Sequence, residues 1–144
     1  MSIQDNKRIV RGEFEEIWNQ GKLELIGTYF SADFFNFGRS CPLERVREIF
    51  GAWRTAIPDL HFTVDAQIVE GDQVLSHCTL SGTHLGPSVL LQLWSLSPTG
   101  KRISVRQVHL PRIRNGQIVE HWAVREDLGM LQQLGVISAP VHGE

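Results

Sequence analysis

The sequence predicts an α+β fold in which a curved antiparallel sheet wraps over two or three helices. Helical periodicity dominates the chain up to Ala56, and from Leu60 onward apolar and polar residues alternate in strands separated by short turns. The strand–helix–strand alternation of a parallel sheet is missing. With 144 residues, 42% of them hydrophobic, the chain can bury a sizeable core. We therefore expect one domain over residues 1–144 and one site within it.

Three helices are predicted in the first part of the chain. The first is amphipathic and runs from about Ile3 to Gln20, with Gly21 as its C-cap. Its apolar residues recur at i, i+4, i+7 and i+8: Val10, Phe14, Ile17 and Trp18. A short second helix covers residues 22–26 and ends at Gly27. A third begins near Pro42, which the first turn of a helix tolerates, and reaches about Ala56.

Two hairpins are predicted in the second part. Residues 60–68 alternate as a half-buried strand, and Gly71-Asp72 turns the chain into a partner strand that ends near Leu85. The second hairpin turns at Asn115-Gly116, a pair of residues typical of tight turns between strands. A short helix is predicted after Asp127.

The second hairpin brings together most of the titratable side chains of interest. Before the turn, one strand face is apolar except at Gln107 and His109. After the turn, alternation places His121 and Ala123 on one side of the strand, and Ile118, Glu120, Trp122 and Val124 on the other.

The register of this hairpin determines which residues share a face, and the sequence leaves two registers open. A two-residue type I′ turn places His109 opposite Trp122, whereas a type I turn with a glycine bulge places His109 opposite His121 and Gln107 opposite Ala123. We favour the bulged register because it gathers Gln107, His109 and His121 on one side. The other face then suits a subunit interface; it holds Val108, Leu110, Ile118, Trp122 and Val124.

Composition excludes several classes of protein. The formal net charge of −2, from 14 basic and 16 acidic residues, argues against a nucleic-acid-binding protein or one that binds anionic membranes. No apolar run is long enough for a membrane span, and the N-terminal residues lack the apolar segment of a signal peptide, so we expect a cytoplasmic protein.

Metal and disulfide sites are not predicted either. Cys41 and Cys78 are too few for a disulfide framework, and we interpret both as reduced thiols. His77 and Cys78 point to opposite faces of a strand, so they do not form a ligand set with His84. We predict no metal and no cofactor.

Four blocks of the sequence resemble one family in their order and spacing: PDLHFTVDAQIVEGDQV, SGTHLG, SPTGKRISVRQVHLPRIRNGQIVEHW and LGMLQQLG. They resemble the SnoaL-like polyketide cyclases of the nuclear-transport-factor-2-like superfamily, and the match covers nearly the whole chain. The resemblance implies a cone-shaped α+β barrel with a deep, largely apolar internal pocket, often dimeric. It also implies secondary metabolism, and a cofactor-free intramolecular aldol condensation that closes a ring of an aromatic polyketide.

The resemblance also assigns roles to residues. In the cyclases an aspartate on the last strand is the acid/base, assisted by a histidine on the preceding strand. The histidine matches His109, but the aspartate position falls on Ala123, which carries no proton. Three interpretations follow: a proton-transfer enzyme in which His109 or His121 replaces the aspartate, a cofactor-free hydroxylase-type tailoring enzyme, or a binding protein that keeps the pocket without the chemistry. We favour the first, since an unperturbed imidazole pKa of about 6.5 is close to working pH.

We therefore expect an enzyme that acts on a polyketide-like or aromatic small molecule. Its catalytic residues are His109, as principal acid/base, and His121. Its substrate-binding residues are Asn36 and Gln107 as hydrogen-bond donors, Trp53, Phe34 and Phe37 as aromatic walls, and Ala123 at the acid position. Each has an ordinary structural alternative: a lone histidine on an apolar face is usually a satisfied core residue, Asn36 suits a turn, and aromatic residues usually fill the core.

Overall fold

The computed structural model describes residues 2–90 and 94–138. Its helices are α1 (Ile3–Gly12), a π-helix (Glu13–Asn19), a 3₁₀ turn (Leu23–Leu25), α2 (Ile26–Tyr29), α3 (Leu43–Ala56) and α4 (Asp127–Gln133). Its strands are β1 (Phe30–Asn36), β2 (Arg39–Ser40), β3 (His61–Glu70), β4 (Gln73–Thr83), β5 (Ser88–Leu90), β6 (Trp94–Leu96), β7 (Arg102–Arg114) and β8 (Gln117–Arg125).

The first helix changes its winding part-way along. Ser2 caps α1, because its hydroxyl accepts a hydrogen bond from the Asp5 backbone N–H while the Asp5 carboxylate accepts one from the Ser2 N–H. From Glu13 the chain continues as a π-helix, and Gly21, at φ +72°, ends it as predicted. All four residues predicted for the apolar face are buried: Val10, Phe14, Ile17 and Trp18.

The second predicted helix is the part of the N-terminal prediction that was wrong. Residues 23–25 form only a 3₁₀ turn, and the α-helical turn that follows, α2, contains Gly27 rather than ending there. The third helix is confirmed: α3 begins one residue after Pro42 and ends at Ala56.

A curved six-stranded sheet follows the order β2-β1-β8-β7-β4-β3 and confirms the α+β class. All neighbouring strands are antiparallel except β1 and β8, which run parallel. Every second residue of β4 is buried, and β7 alternates in the same way along most of its length, so one face of this sheet is internal. Strands β5 and β6 form a separate two-stranded sheet that the sequence did not predict.

The hairpin between β7 and β8 has a register different from both predicted ones. Arg114 pairs with Gln117 across a two-residue turn in which Asn115 and Gly116 both have positive φ, as a type I′ turn requires, so the favoured glycine-bulge turn was wrong. One strand bulge follows, because Arg112 pairs with Glu120 whereas Ile113 pairs with Ile118. The bulge leaves Val119 as the extra residue.

This bulge decides which side chains of β8 face inward. It places His109 opposite Ala123 and Pro111 opposite His121, so both histidines share the inner face as expected, although for a different geometric reason. It also separates Ile118 from the predicted interface residues: Ile118 is buried inside, while Trp122 and Val124 are exposed on the outer face.

Candidate active site

A cavity of about 60 Å³ lies between the inner face of the sheet and the helices. The sheet side contributes His109 from β7, His121 from β8, and Asn36, Phe34 and Phe30 from β1. The helical side contributes Glu13 and Trp18 from the π-helix, and Val46, Ile49 and Phe50 from α3. The lining is therefore mostly apolar with four polar groups, which is the usual composition of a small-molecule site.

The polar groups on the sheet side form one continuous chain of contacts. His109 Nε2 lies 2.8 Å from Gln107 Oε1, His109 Nδ1 lies 2.8 Å from His121 Nε2, and His121 Nδ1 lies 2.8 Å from Asn36 Oδ1. Phe14 and Phe62 hold the His109 ring edge-on, at centroid distances of 5.2 and 5.7 Å. Both ring positions are thus fixed by packing and by hydrogen bonds from three strands.

Counting protons along this chain links its protonation state to the orientation of the carboxamides. If both amide oxygens face the rings, each of the three contacts needs a ring N–H, and three protons on two rings make one ring an imidazolium. Two neutral rings carry only two protons, so one of the carboxamides must then present its NH₂ group instead. The turned and unturned carboxamides have nearly the same shape. The polar chain can therefore satisfy its hydrogen bonds with two neutral rings or with one imidazolium.

The neutral state is the one that burial favours. Burial and the neighbouring His121 and Arg125 lower the pKa of His109 well below its usual value, and burial and Arg125 lower the pKa of His121 to about 4. At neutral pH both rings are therefore uncharged. When Asn36 turns its NH₂ to His121, the remaining contacts leave His109 Nε2–H donating to Gln107 Oε1 and the lone pair on His109 Nδ1.

Glu13 is the polar group on the helical side of the cavity and was not predicted. Its side chain is only 6% exposed, and its Oε2 atom has no hydrogen-bond partner. Burial raises the pKa of Glu13 to about 8, so the side chain is mainly a neutral carboxylic acid at pH 7. The sequence did contain a signal: Glu13 lies three residues after Val10 and four before Ile17, on the apolar stripe of the helix.

Four of the predicted site residues line the cavity: His109, His121, Asn36 and Phe34. Gln107 does not line the cavity, but its Oε1 atom contacts His109 Nε2, so it belongs to the same polar chain. Its placement corresponds to a positioning residue rather than to a direct ligand contact.

The other three predicted residues lie elsewhere. Trp53 is half-buried against the core on α3, and Trp18 and Phe50 take the place predicted for it in the wall. Phe37 is 43% exposed and packs its ring on His121 and Trp122 from outside the cavity. Ala123 faces inward opposite His109 but is not part of the cavity wall.

Comparison with known proteins gives the same family as the sequence blocks. The model of the SnoaL-like polyketide cyclases matches residues 8–134. The chain belongs to this family. It is 31% identical over 130 residues to aklanonic acid methyl ester cyclase DnrD of Streptomyces peucetius, covering 83% of this chain and 84% of that protein. It is 28% identical over 124 residues to nogalonic acid methyl ester cyclase of Streptomyces nogalater, covering 82% and 89%.

Solved structures share the fold. TsrD from Streptomyces laurentii superposes with a TM-score of 0.83 at 23% identity, over 95% of this chain and 99% of TsrD. AclR from Streptomyces galilaeus, named as a candidate hydroxylase, superposes with a TM-score of 0.79 at 26% identity, over 96% of this chain and 86% of AclR.

Residues 2–90 and 94–138 contain neither a metal-binding cluster nor a membrane-spanning helix. Within these ranges no group of three or more His, Cys, Asp or Glu side chains is arranged to hold a metal ion. No helix in the same ranges is long and apolar enough to cross a membrane.

Replacing Ala123 with Asp should raise the pKa of His109. The two residues are paired across β7 and β8 on the inner face, so the new carboxylate would lie within a few ångströms of the imidazole and stabilise its charged form. The pKa is read from the ring proton shifts of His109 in an NMR titration. Ala123→Asn is the control of matched shape, and it should leave the pKa of His109 nearly unchanged; an equal effect of both variants would contradict the electrostatic explanation.

Replacing Glu13 with Gln should stabilise the fold, and more so as pH rises. The folded chain ionises Glu13 near pH 8 and the unfolded chain near its ordinary value of 4.5, so between these values folding takes up a proton and the wild type loses stability. Gln removes this term, and at pH 7 the gain is up to about 3 kcal/mol.

The measurement is chemical denaturation of both proteins at pH 4.5, 6 and 8. Below pH 4.5 Glu13 is protonated in both states, and the gain should vanish. The histidine pair has the opposite pH dependence, because it lowers the stability of the fold as pH falls from 6.5 toward 4. This effect is present in both proteins and cancels in the difference between them. A difference that does not depend on pH would show that Glu13 is not held neutral.

Proposed function

We propose that this protein is a cofactor-independent cyclase that removes a proton next to a carbonyl of a polyketide-like aromatic molecule and closes a ring by intramolecular aldol addition. The observation that carries the proposal is the His109–His121 pair, in which a buried and a half-buried imidazole lie in contact on the wall of the cavity. Acid–base chemistry at a carbon next to a carbonyl needs a base of this kind, together with groups that stabilise the enolate. The single domain of 144 residues would carry the whole site.

His109 is the base in this proposal. Gln107 Oε1 holds the proton on His109 Nε2, which leaves the lone pair on Nδ1, and Nδ1 faces the other lining histidine rather than the backbone. A ligand that separates the two rings would meet this lone pair. Although burial makes His109 a weak base in the free protein, the enolate formed by proton transfer is an adjacent negative charge and stabilises the imidazolium.

Asn36 and His121 then stabilise the negatively charged oxygen of the enolate. Both line the cavity, and a carboxamide N–H or a ring N–H can donate to a negatively charged oxygen, with a larger effect in an apolar site than in water. A cavity of about 60 Å³ accommodates only the reacting end of a polycyclic molecule, since pockets for whole ligands measure roughly 300–1,000 Å³. The fused rings would therefore extend outward or displace the α3 side of the wall.

In this proposal Ala123 occupies the lost acid position, and its place opposite His109 supports that assignment. Without an acid at 123, the imidazole takes over the role of base. This relocation distinguishes the chain from the cyclase pattern on which the resemblance was based.

Hydroxylase-type chemistry is the second candidate, and the 26% identity to AclR over 96% of the chain favours it. The two candidates differ in their use of dioxygen. Turnover that proceeds at an unchanged rate without oxygen supports the cyclase, whereas product that carries an oxygen atom from O₂ supports the hydroxylase.

A homodimer and a cytoplasmic location complete the proposal. The outer face of β1 and β8, together with the turn after β1, exposes a group of apolar side chains: Phe35 at 46%, Phe37 at 43%, Trp122 at 42% and Val124 at 73%. Apolar patches of this kind commonly become buried between subunits. The cytoplasmic location stays a prediction from the sequence.

Replacing His109 with Ala should reduce turnover at least tenfold, because it removes the base. Suitable ligands are aklanonic acid methyl ester and nogalonic acid methyl ester, the molecules named by the relatives. Ring closure is followed by absorbance and mass spectrometry. The exposed His61 provides the matched control: His61→Ala should retain the wild-type rate, and equal rates for all three proteins would reject His109 as the base.

Replacing Trp122 with Arg should convert a dimer into a monomer, because it places a charge in the centre of the apolar outer face. Light scattering or sedimentation at micromolar concentration gives the mass. Ile68→Arg is the control, since Ile68 is 65% exposed on β3 at the opposite edge of the sheet. A wild-type protein that is monomeric at this concentration would reject the interface.

A further inference from the structure

Glu13 is a polar group of the cavity that the mechanism above does not use. It projects from the π-helix, while His109 and His121 project from the sheet, so the cavity separates a carboxyl group on one wall from the histidine pair on the other. In a cavity this small, a ligand atom that contacts one wall lies within a few ångströms of the other.

We propose that Glu13 is a second catalytic residue, which donates its proton to the ligand carbonyl oxygen that becomes a hydroxyl group during ring closure. The inference rests on the proposed cyclase function and adds the acid to it. The chain would thereby replace the acid that position 123 lacks with one from a helix on the other side of the cavity.

The environment of Glu13 is that expected of a residue whose hydrogen-bond partner is a bound ligand. An unpartnered oxygen in the interior is a costly arrangement, since a buried polar atom normally finds a hydrogen-bond partner. Phe14, Ile17 and Trp18 on the same helical segment are buried apolar residues, and an apolar residue at position 13 would avoid this cost. π-Helical turns also occur frequently at functional sites.

The protonation state follows from the groups around Glu13. Burial raises its pKa to about 8, and no cation opposes this effect. Among the described residues, four titratable groups share the cavity with Glu13 or are influenced by its charge: His109 and His121 across the cavity, both with lowered pKa values, and the Cys78 thiol on β4 and the Tyr29 hydroxyl on α2, both with raised pKa values. All four are uncharged at pH 7, so Glu13 keeps its proton until a basic oxygen approaches.

The proton and electron balance of the step closes without any other reactant. His109 Nδ1 takes the proton from the carbon next to one carbonyl, and the C–H electron pair forms the enolate. The enolate carbon bonds to the second carbonyl carbon, and the C=O π pair moves to that oxygen, which takes the Glu13 proton. A proton then passes from the His109 imidazolium back to the Glu13 carboxylate, directly or through water, and both residues are restored.

The two half-reactions separate Glu13 from His109 experimentally. Abstraction alone exchanges the acidic C–H of the ligand with deuterium from D₂O, whereas ring closure also needs the acid. The experiment compares wild type, Glu13→Gln, His109→Ala and the matched control Glu15→Gln, which alters an exposed carboxylate on the same helix. The probe is aklanonic acid methyl ester, with exchange and closure followed by mass spectrometry.

We expect Glu13→Gln to close the ring roughly a hundredfold more slowly while exchanging the C–H within about twofold of the wild-type rate. His109→Ala should lose both reactions and Glu15→Gln neither. The wild-type rate of closure should also fall above about pH 8, and Glu13→Gln should lack this alkaline decline.

Other outcomes overturn the inference in distinguishable ways. Wild-type closure by Glu13→Gln, with both reactions lost in His109→Ala, removes Glu13 as the acid and leaves the cyclase proposal standing. Loss of both reactions in Glu13→Gln assigns it a structural role instead. A wild-type protein that neither exchanges nor closes the ring removes the cyclase function and the role of Glu13 together.

Discussion

The site depends on the requirement that polar groups in an apolar interior find hydrogen-bond partners. The His109 ring packs against Phe14 and Phe62, and both imidazole rings share the cavity wall with aromatic side chains of β1, where an unpaired ring nitrogen would be costly. The requirement is met by one chain of three 2.8 Å contacts that ends in a carboxamide on each side. Because Asn36 comes from β1, His121 from β8, and His109 and Gln107 from β7, this chain also ties three neighbouring strands to one register.

A carboxamide at each end gives the chain an unusual property. Carboxylates at both ends would require three ring protons and so hold one ring charged, whereas a carboxamide accepts or donates according to which of its two groups it presents. The pair can therefore rest neutral and take up one proton without leaving any buried group unpaired. This combination of neutrality and capacity for a proton is what a base in a buried site requires.

The sequence predicted the members of this chain better than it predicted their geometry. Alternation along β7 was sufficient to place Gln107 and His109 on the inner face, since each inward residue is two positions from the next. For β8 the alternation fails, because an extra residue at Val119 shifts every later residue to the other face relative to Ile118. A bulge within a strand has no sequence signature as clear as Asn-Gly has for a turn. His121 was therefore predicted on the correct face because this gathers the polar groups, but that placement was explained by the wrong turn type.

Separate reasons explain why some aromatic residues lie outside the predicted cavity wall and why Glu13 was not predicted. Trp53 and Trp18 are both aromatic, and periodicity indicates only that an aromatic residue is buried, not which cavity it borders. Phe37 lies in the turn after β1, where no periodicity applies. Glu13 was overlooked because a glutamate in a helix is normally exposed, and only its spacing to Val10 and Ile17 marked it as internal. A buried carboxyl oxygen without a hydrogen-bond partner is visible only once the packing around it is known.

The positions of Ala123 and Glu13 suggest how acid–base chemistry can move within one fold. At position 123 an acid would share the strand pair with His109, and their charges would stabilise each other, so the acid would rest ionised. At position 13 the carboxyl group faces the neutral pair across the cavity and rests protonated. In the proposed mechanism the same two residue types therefore exchange roles: the imidazole is the base and the carboxyl group is the acid, and their pKa values are separated by environment. Holding groups with strongly perturbed pKa values in an apolar interior lowers the free energy of unfolding, and this is common at catalytic sites.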